Sequence, residues 1–568
     1  MSFPVRLGLR PAQSAILLAM ILLTTSQMFA QGVHATLRAN SNPSPGQWQY
    51  SDVVADGPRS DGKSYAYVSS WHNSSGIWIF DVTNPDAPVF LTKYAPAGSL
   101  NMQAVQVDNA VGYFGDDSGS GVHVVDLTNP AVPKLITRIT SSRGGYNSVH
   151  DLTLDGKGHM FVPNYRFNKD VQIWNVSNPA APFLQLTLQG TDTLSVHDVT
   201  IANNRMFLTG WGGQLDIWDI TNLDTRTPTM IGSFFAGLHT QDISVTPDGN
   251  FIACPQEATS NGDVNIFDIT NPANVVKVAT ITQAGWGINA TSPSTSKIMG
   301  NLLFVAWYQS GLMVFDISTP SNPILVANYD TWPGFSFGGS GGGDGDWGVW
   351  PFLGLDRVLV SDRTSGLYIL DVRGWSADPG VFSLNYSPSS LLGSAPTSGT
   401  IGLVGLSPVN GMTVNLSSSD PSVGPTQVFV PAGTHVENFF QATTAVPSKT
   451  TVTVTATDGV FSTGTTLTLL PPQTASISVS PNPVRGGLNA TGRVMLTGAV
   501  ASDTSVSLSI LGGGSAISSM PTSVIVPAGF SSATWAIQTN QVATKVLVTI
   551  SANANGATKQ SSFTVSAI

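Results

Sequence analysis

Gly76-Ile77-Trp78-Ile79-Phe80-Asp81-Val82-Thr83-Asn84-Pro85-Asp86-Ala87-Pro88 is the stretch that decides the fold, because versions of it return along the chain. They run from Gly121 to Pro133, Asp170 to Pro182, Gln214 to Pro228, Asp263 to Pro272 and Gly311 to Pro323, with a shortened last copy from Gly366 to Val372. In each, apolar residues fill both odd and even positions of a short run, as in Ile77 to Phe80. Successive strand side chains point to opposite faces, so such a strand needs cover on both. An Asp or Asn follows (Asp81, Asp126, Asn175, Asp219, Asp268, Asp316, Asp371), and in most copies a Thr/Ser-Asn-Pro turn comes next, where proline withholds the amide a ladder requires.

A repeat of roughly 45 to 55 residues holding several short strands reads as a β-propeller, whose blades cover one another's faces. The third period shows four strands: A at Val149 to Leu154, B at His159 to Asn164, C at Val171 to Val176 and D at Phe183 to Leu188. The seventh has A near Trp347 to Phe352, B at Arg357 to Ser361 and C at Leu367 to Val372, but no D. The alternating run Val33 to Arg38, which precedes the first copy, is expected to supply it and to remove the open edges of a gap.

Past residue 380 Ser, Thr, Val and Gly dominate, and two segments match. Val428-Phe429-Val430-Pro431-Ala432-Gly433 returns as Val524-Ile525-Val526-Pro527-Ala528-Gly529, and Thr451 to Ala456 returns as Leu547 to Ala552. Each segment has the length and alternation of a β-sandwich, with Pro471-Pro472 as a stiff joint. The expected fold class is all-β, a seven-bladed β-propeller (31–375) followed by two immunoglobulin-like β-sandwich domains (380–470 and 473–568).

Composition agrees. The 568 residues include 57 Gly and 36 Pro, only 10% are charged and the formal net charge is -10, which favours a turn-rich β protein and leaves no basic stripe for a nucleic acid. Arg6 and Arg10, the apolar run Ala15 to Leu23 and the segment Ser26 to Ala30 read as a secretory signal peptide over residues 1–30, so a secreted or cell-surface protein with no membrane span after cleavage is expected. Cys254 is the single cysteine; it excludes an intrachain disulfide and reads as a buried, inert thiol.

Aligning the A strands gives a recurring polar position: Ser51, Gln103, His150, His197, Gln241 and Asn289, followed in four copies by Asp52, Asp151, Asp198 and Asp242. Because A strands line the channel of a propeller, these residues are expected to ring one of its mouths. The B-strand ends emerge on the same face and read Trp71-His72, Asp116-Asp117, Asn164-Tyr165, Trp211, Gln256-Glu257, Trp307-Tyr308 and Asp362-Arg363. The expected ligand site combines His72, Gln103, Asp116, His150, Asp151, Tyr165, His197 and Asp198 with Trp211, His239, Asp242, Glu257, Trp307, Asp362 and Arg363.

Three readings of that ring stay open. His150, His197 and His239 could ligate a divalent metal (Ca or Zn) with Asp151, Asp198 or Asp242 as oxygen ligands or hydrogen-bond acceptors. They could instead hold a non-metal ligand, or each His could pair with the Asp of the next blade as scaffold. Trp71, Tyr165, Trp211, Trp286, Trp307 and Trp347 would either offer flat rings to sugars and peptide side chains or plug the channel. The acidic pairs Asp116-Asp117 and Asp344-Gly345-Asp346 lack the oxygen spacing of a calcium loop and read as solvated. No nucleophile beside a base and no defined carboxylate pair specifies a catalytic residue.

From Val33 to Val372, the Gly-x-x-x-Phe/Val-Asp-Val/Ile-Thr-Asn-Pro units resemble the LVIVD-repeat propellers of the choice-of-anchor B type, which are secreted or surface-attached bacterial proteins. So do Trp48 to Asp52, Gly300-Asn301-Leu302-Leu303, Gly311 to Ile317, Trp350-Pro351-Phe352, Val358 to Asp362 and Gly366 to Leu370. The two C-terminal segments resemble bacterial surface immunoglobulin-like repeats, without the sorting tail common in that group. The resemblance implies an extracellular propeller without an agreed activity. The expected function is therefore non-catalytic binding of a glycan, peptide or surface protein. The alternatives are a metal-dependent, hydrolase-like enzyme using the His/Asp ring and a structural surface or matrix component.

Overall fold

A computed structural model describes residues 32–46, 48–71, 76–165, 168–257, 262–288, 290–332 and 344–568. The segment expected to be a signal peptide, together with His72 and Asn289, lies outside them. The described residues are almost entirely β-strand, with three short helical turns at Ser141–Arg143, Gln283–Trp286 and Gly514–Ala516.

From Thr36 to Asp371 the strands form seven four-stranded antiparallel sheets. One of them runs in order through Thr153–Leu154, His159–Pro163, Asp170–Asn175 and Phe183–Gln189. The third strand of each sheet is largely buried on both faces, as Ile77–Asp81 shows, while the fourth is half exposed except in the sixth sheet, where Ile324–Tyr329 is buried. Cover comes from the neighbouring sheets. Tyr113, Val122 and Val124 of one sheet share a core with Met160, Val162 and Trp174 of the next. Leu359, Leu367 and Ile369 of the last sheet pack on Tyr50, Val68 and Trp78 of the first, so the sheets close on one another as a β-propeller.

The recurring Asp or Asn caps the turn after each third strand. Its Oδ1 accepts the backbone N–H two residues on: Thr83 for Asp81, Thr128 for Asp126, Ser177 for Asn175 and Thr221 for Asp219. Thr270, Ser318 and Arg373 donate likewise to Asp268, Asp316 and Asp371. These Asx turns let a short polar side chain replace a ladder bond where the chain reverses. A register shift stands just before this residue wherever the third strand meets the fourth, as at Ile79/Phe80, Val124/Val125 and Ile173/Trp174. Such bulges add twist to the outer strand.

The outer strand of the last sheet is Thr36–Ser41, antiparallel to Gly366–Asp371 with Thr36 opposite Asp371 and Ser41 opposite Leu367. The strand begins three residues later than the run Val33 to Arg38 named from sequence. Val33 itself bridges to Asn328 on the adjacent sheet.

Two innermost strands depart from expectation. The third is only Thr153–Leu154, because the preceding segment leans on the neighbouring sheet, where Val149 N donates to Asp116 O at 3.0 Å. The sixth is Ser296–Met299 and not the segment around Asn289.

The remainder folds as two units, each of two sheets with its own core, one around Val414, Val452 and Leu467 and the other around Val494, Trp535 and Ile550. The first docks on the propeller. Val404 and the partly buried Phe382 and Phe461 join a propeller core that includes Trp286 and Trp307, and the His435 ring stacks on Trp286 at 3.8 Å. Gly287 meets this unit closely: a Cβ there would lie 3.1 Å from Gly402 Cα.

Candidate ligand site

The starts of the innermost strands and the loops after the second strands meet on one face in a closed circle of side chains. Trp347 lies 5.0 Å from Trp71, which lies 6.5 Å from His150. His150 stacks on Tyr165 at 4.2 Å, Tyr165 meets His197 at 4.9 Å, His197 meets Trp211 at 5.1 Å and Trp211 meets His239 at 4.5 Å. His239 Nδ1 donates to Glu257 O at 3.2 Å, the Tyr308 hydroxyl donates to the Glu257 carboxylate, and Tyr308 returns to Trp347 at 6.1 Å. Arg363 stands over Trp48, Trp71 and Trp347 at 5.2, 5.5 and 4.8 Å, within cation–π range.

Trp48, Trp71, Tyr165 and Trp211 remain half exposed, so the circle offers ring faces to solvent. Trp48, His239, Asp242 and Tyr308 take positive φ values of 58, 57, 24 and 27°. Left-handed backbone at bulky residues costs energy and gathers at functional sites. Burial, reinforced by the neighbouring His150, holds the His197 imidazole well below its ordinary pKa, so it is neutral at pH 7. Burial also raises Glu257, against the opposing Tyr308 hydrogen bond.

One residue further along the strands the channel becomes acidic. Asp52, Asp151, Asp198 and Asp242 line one cavity of about 330 Å³ together with Lys297. Lys297 Nζ reaches both oxygens of Asp242, at 2.6 and 2.9 Å. Burial pushes Asp242 up to about 7 and Asp52 up to about 6, against the opposing pull of Lys297. Asp151 is raised well above the usual carboxylate range by burial and by Asp198, whose carboxyl it faces. Gly348 makes room: a Cβ there would sit 2.6 Å from Asp52 Oδ1.

Several expected site residues stand elsewhere. Trp307 is fully buried in the core between two sheets, and Trp286 lies under His435 of the following unit. Asp116 is buried, with its carboxylate on the Ser118 and Ser120 amides at 2.9 and 3.1 Å and on their hydroxyls. Asp362 is spent on the amides of Thr364 and Ser365 and on the Thr331 hydroxyl. These two carboxylates build turns, and Asp116, Asp117 and Asp346, read from sequence as parts of solvated acidic pairs, are buried.

His–Asp pairs do bridge neighbouring sheets, though with other carboxylates than the recurring channel Asp: His150 meets Asp117 of the preceding sheet, and His159 Nε2 meets Asp224 Oδ1 of the following one at 3.0 Å. His150 lies between Gln103 Nε2 at 3.3 Å and Asp117 Oδ2 at 3.4 Å. Among the described residues no group of three or more His, Cys, Asp or Glu converges in a way that could hold a metal ion, so His150, His197 and His239 do not form a ligand set with the carboxylates below them. Cys254 is buried, and burial raises its thiol. Sequence reasoning missed Lys297 altogether. No local pattern announces it: it follows Ser296, whose hydroxyl lies 2.7 Å from that of Ser244 on the adjacent innermost strand, a match that only the fold brings about.

The LVIVD repeat model matches residues 62–95 and 296–331, the first and sixth sheets. No curated protein matches the chain. Among solved structures, the WD40 β-propeller domain of Doa1 is 14% identical, covering 61% of this chain and all of that one, with a TM-score of 0.42. Hydrazine synthase of Kuenenia stuttgartiensis is 13% identical over 58% of this chain and 96% of its own, with a TM-score of 0.41. A Bacteroides uniformis protein provisionally assigned as a 6-phosphogluconolactonase is 15% identical over 52% and 86%, also at 0.41. The chain is thus a β-propeller repeat protein on its own sheets and on the LVIVD match, and no activity passes to it from these neighbours.

Proposed function

We propose that this chain is an exported bacterial binding protein. In this reading a seven-bladed propeller holds a glycan, peptide or protein segment on the face of the aromatic circle, and two immunoglobulin-like domains serve as spacers. The observation that carries the reading is the closed circle from Trp347 through Trp71, Tyr165 and Trp211 to Tyr308, with half-exposed rings and left-handed backbone at Trp48, His239 and Tyr308. Rings of this kind lend large contact area at little conformational cost and recur as binding anchors. An interaction role needs no convergent catalytic set, and none is assigned here.

Glycan and peptide arrays probed with the full chain test it. A hit that weakens about tenfold or more in Trp211→Ala, at an unchanged melting temperature, supports the reading. Hits that Trp211→Ala and Trp71→Ala leave unchanged would move the binding face elsewhere.

A further inference from the structure

The channel cavity changes character along its length. Gln103, His150, His197 and Gln241 line one end, the carboxyls and Lys297 the middle, and Leu154, Ala202, Val245, Ile298, Trp350 and Phe352 the other end. At about 330 Å³ it falls at the small end of sites that take organic ligands and would hold on the order of ten waters.

Its middle is rich in acceptors that lack donors. Gln103 Oε1 and Gln241 Oε1 are buried without a hydrogen-bond partner, their residues only 5% and 7% exposed, and the Asp151 and Asp198 carboxyls have only each other at the oxygens turned to the cavity. Among the described residues that line the cavity the one cation, Lys297, is already turned to Asp242. Buried polar atoms are almost always paired, so an occupant of this space must donate hydrogen bonds. Facing carboxyls such as Asp151 and Asp198 need a proton between them or a positive charge beside them. A bare metal ion does not fit, since no three ligating side chains converge among the described residues.

We infer that this cavity binds a primary ammonium carried on an apolar stem, the ammonium at Asp151, Asp198 and Asp52 and the stem running toward Trp350 and Phe352. Three N–H donors and one positive charge answer the surplus of acceptors and of negative charge, and the apolar end receives the methylenes. The stem can belong to a free alkylamine or to a lysine side chain. Binding favours ionised Asp151, so its proton leaves to solvent. The inference does not depend on the aromatic circle being a binding face.

Calorimetry and thermal shift on the full chain at pH 7 test it with three probes: n-hexylamine, hexan-1-ol and Nα-acetyl-lysine amide. Hexylamine is expected to bind at least about tenfold tighter than hexanol, with an enthalpy that differs between phosphate and Tris buffers because protons are released. Asp198→Asn should weaken it about tenfold or more, and Asp126→Asn, at an outer turn, should leave it unchanged. In Lys297→Met, which loses the resident cation, hexylamine should raise Tm more than in the unaltered chain. Binding of acetyl-lysine amide with similar affinity identifies a lysine side chain as an admissible source, whereas hexylamine binding alone identifies a free amine. Equal binding of hexylamine and hexanol, or binding of neither, overturns the inference. Unchanged hexylamine affinity in a folded Asp198→Asn does so as well. Should that variant not fold, the hexylamine and hexanol pair on the unaltered chain decides.

Discussion

Aspartate does opposite work at the outside and at the centre of the propeller. At the turns after the third strands, Asp126 and Asp219 are held below the usual carboxylate range by the hydroxyls and amides of Thr128 and Thr221. Asp371 is held there by the Arg373 guanidinium and amide. In the channel, burial drives Asp52, Asp151 and Asp242 the other way. The outer set stabilises the fold because it is ionised, whereas the inner set is tolerated because part of it is not. One residue type therefore reads as scaffold in one place and as a loaded, ligand-seeking cluster in the other.

Among substitutions, removing the countercharge that Lys297 gives the inner set should have the largest effect. Lys297→Met leaves Asp242 without its partner and is expected to cost roughly 2–3 kcal/mol at pH 8. Most of that loss should vanish near pH 5, where Asp242 takes up a proton. Urea unfolding at the two pH values checks this, and a loss independent of pH would mean that packing of the lysine stem, not charge, was removed.

The next effect needs no mutation. A carboxyl raised in the folded chain binds more protons there than when unfolded, so its favourable contribution is complete below its unfolded value of 3.8 and is lost as pH rises through about 6 for Asp52 and about 7 for Asp242. The lowered turn carboxylates contribute above 3.8 and lose that contribution as pH falls below it. Stability should therefore peak near pH 4, where the turn carboxylates have ionised and the channel carboxyls still hold their protons, and decline by several kcal/mol toward pH 8, most of it below about pH 7. A maximum above pH 7 would contradict the assignment of the channel carboxyls.

The smallest effects belong to the outer set. Asp126→Ala removes one turn hydrogen bond and should cost about 0.5–1 kcal/mol, read as a small drop in urea midpoint. Asp126→Asn should stay within about 0.5 kcal/mol, because Asn175 already closes the same turn at 3.2 Å. A larger loss in the Asn variant would show that charge, and not the hydrogen bond, matters at the turns.

The contrast also explains what could be read from sequence. The third strand is a doubly apolar run with a turn signal at a fixed offset, so its recurrence at Asp81, Asp126 and the later copies located each sheet. Innermost strands carry little such signal. Thr153–Leu154 and Ser244–Val245 have two residues each, too few for alternation to fix a register, and the polar position aligned at Asn289 does not belong to the sixth, which is Ser296–Met299. That slip concealed Lys297. Gln103, His150, His197 and Gln241 could be aligned because the strand distances there are regular. Trp307 follows Leu302–Ala306, a run buried on both faces, where periodicity does not distinguish core from rim. Trp286 is covered by a stack on His435, far along the chain, which no local pattern announces.

The strand Thr36–Ser41 ties the beginning of the propeller to its end: Asn40 donates to Ser365 O, a partner 325 residues away. During synthesis this segment emerges long before the edge it must meet, so the circle stays unlatched until Gly366–Asp371 has been made. A chain clipped ahead of Asn42 would bare that edge to strands of other molecules, and self-association is the expected price of losing the latch.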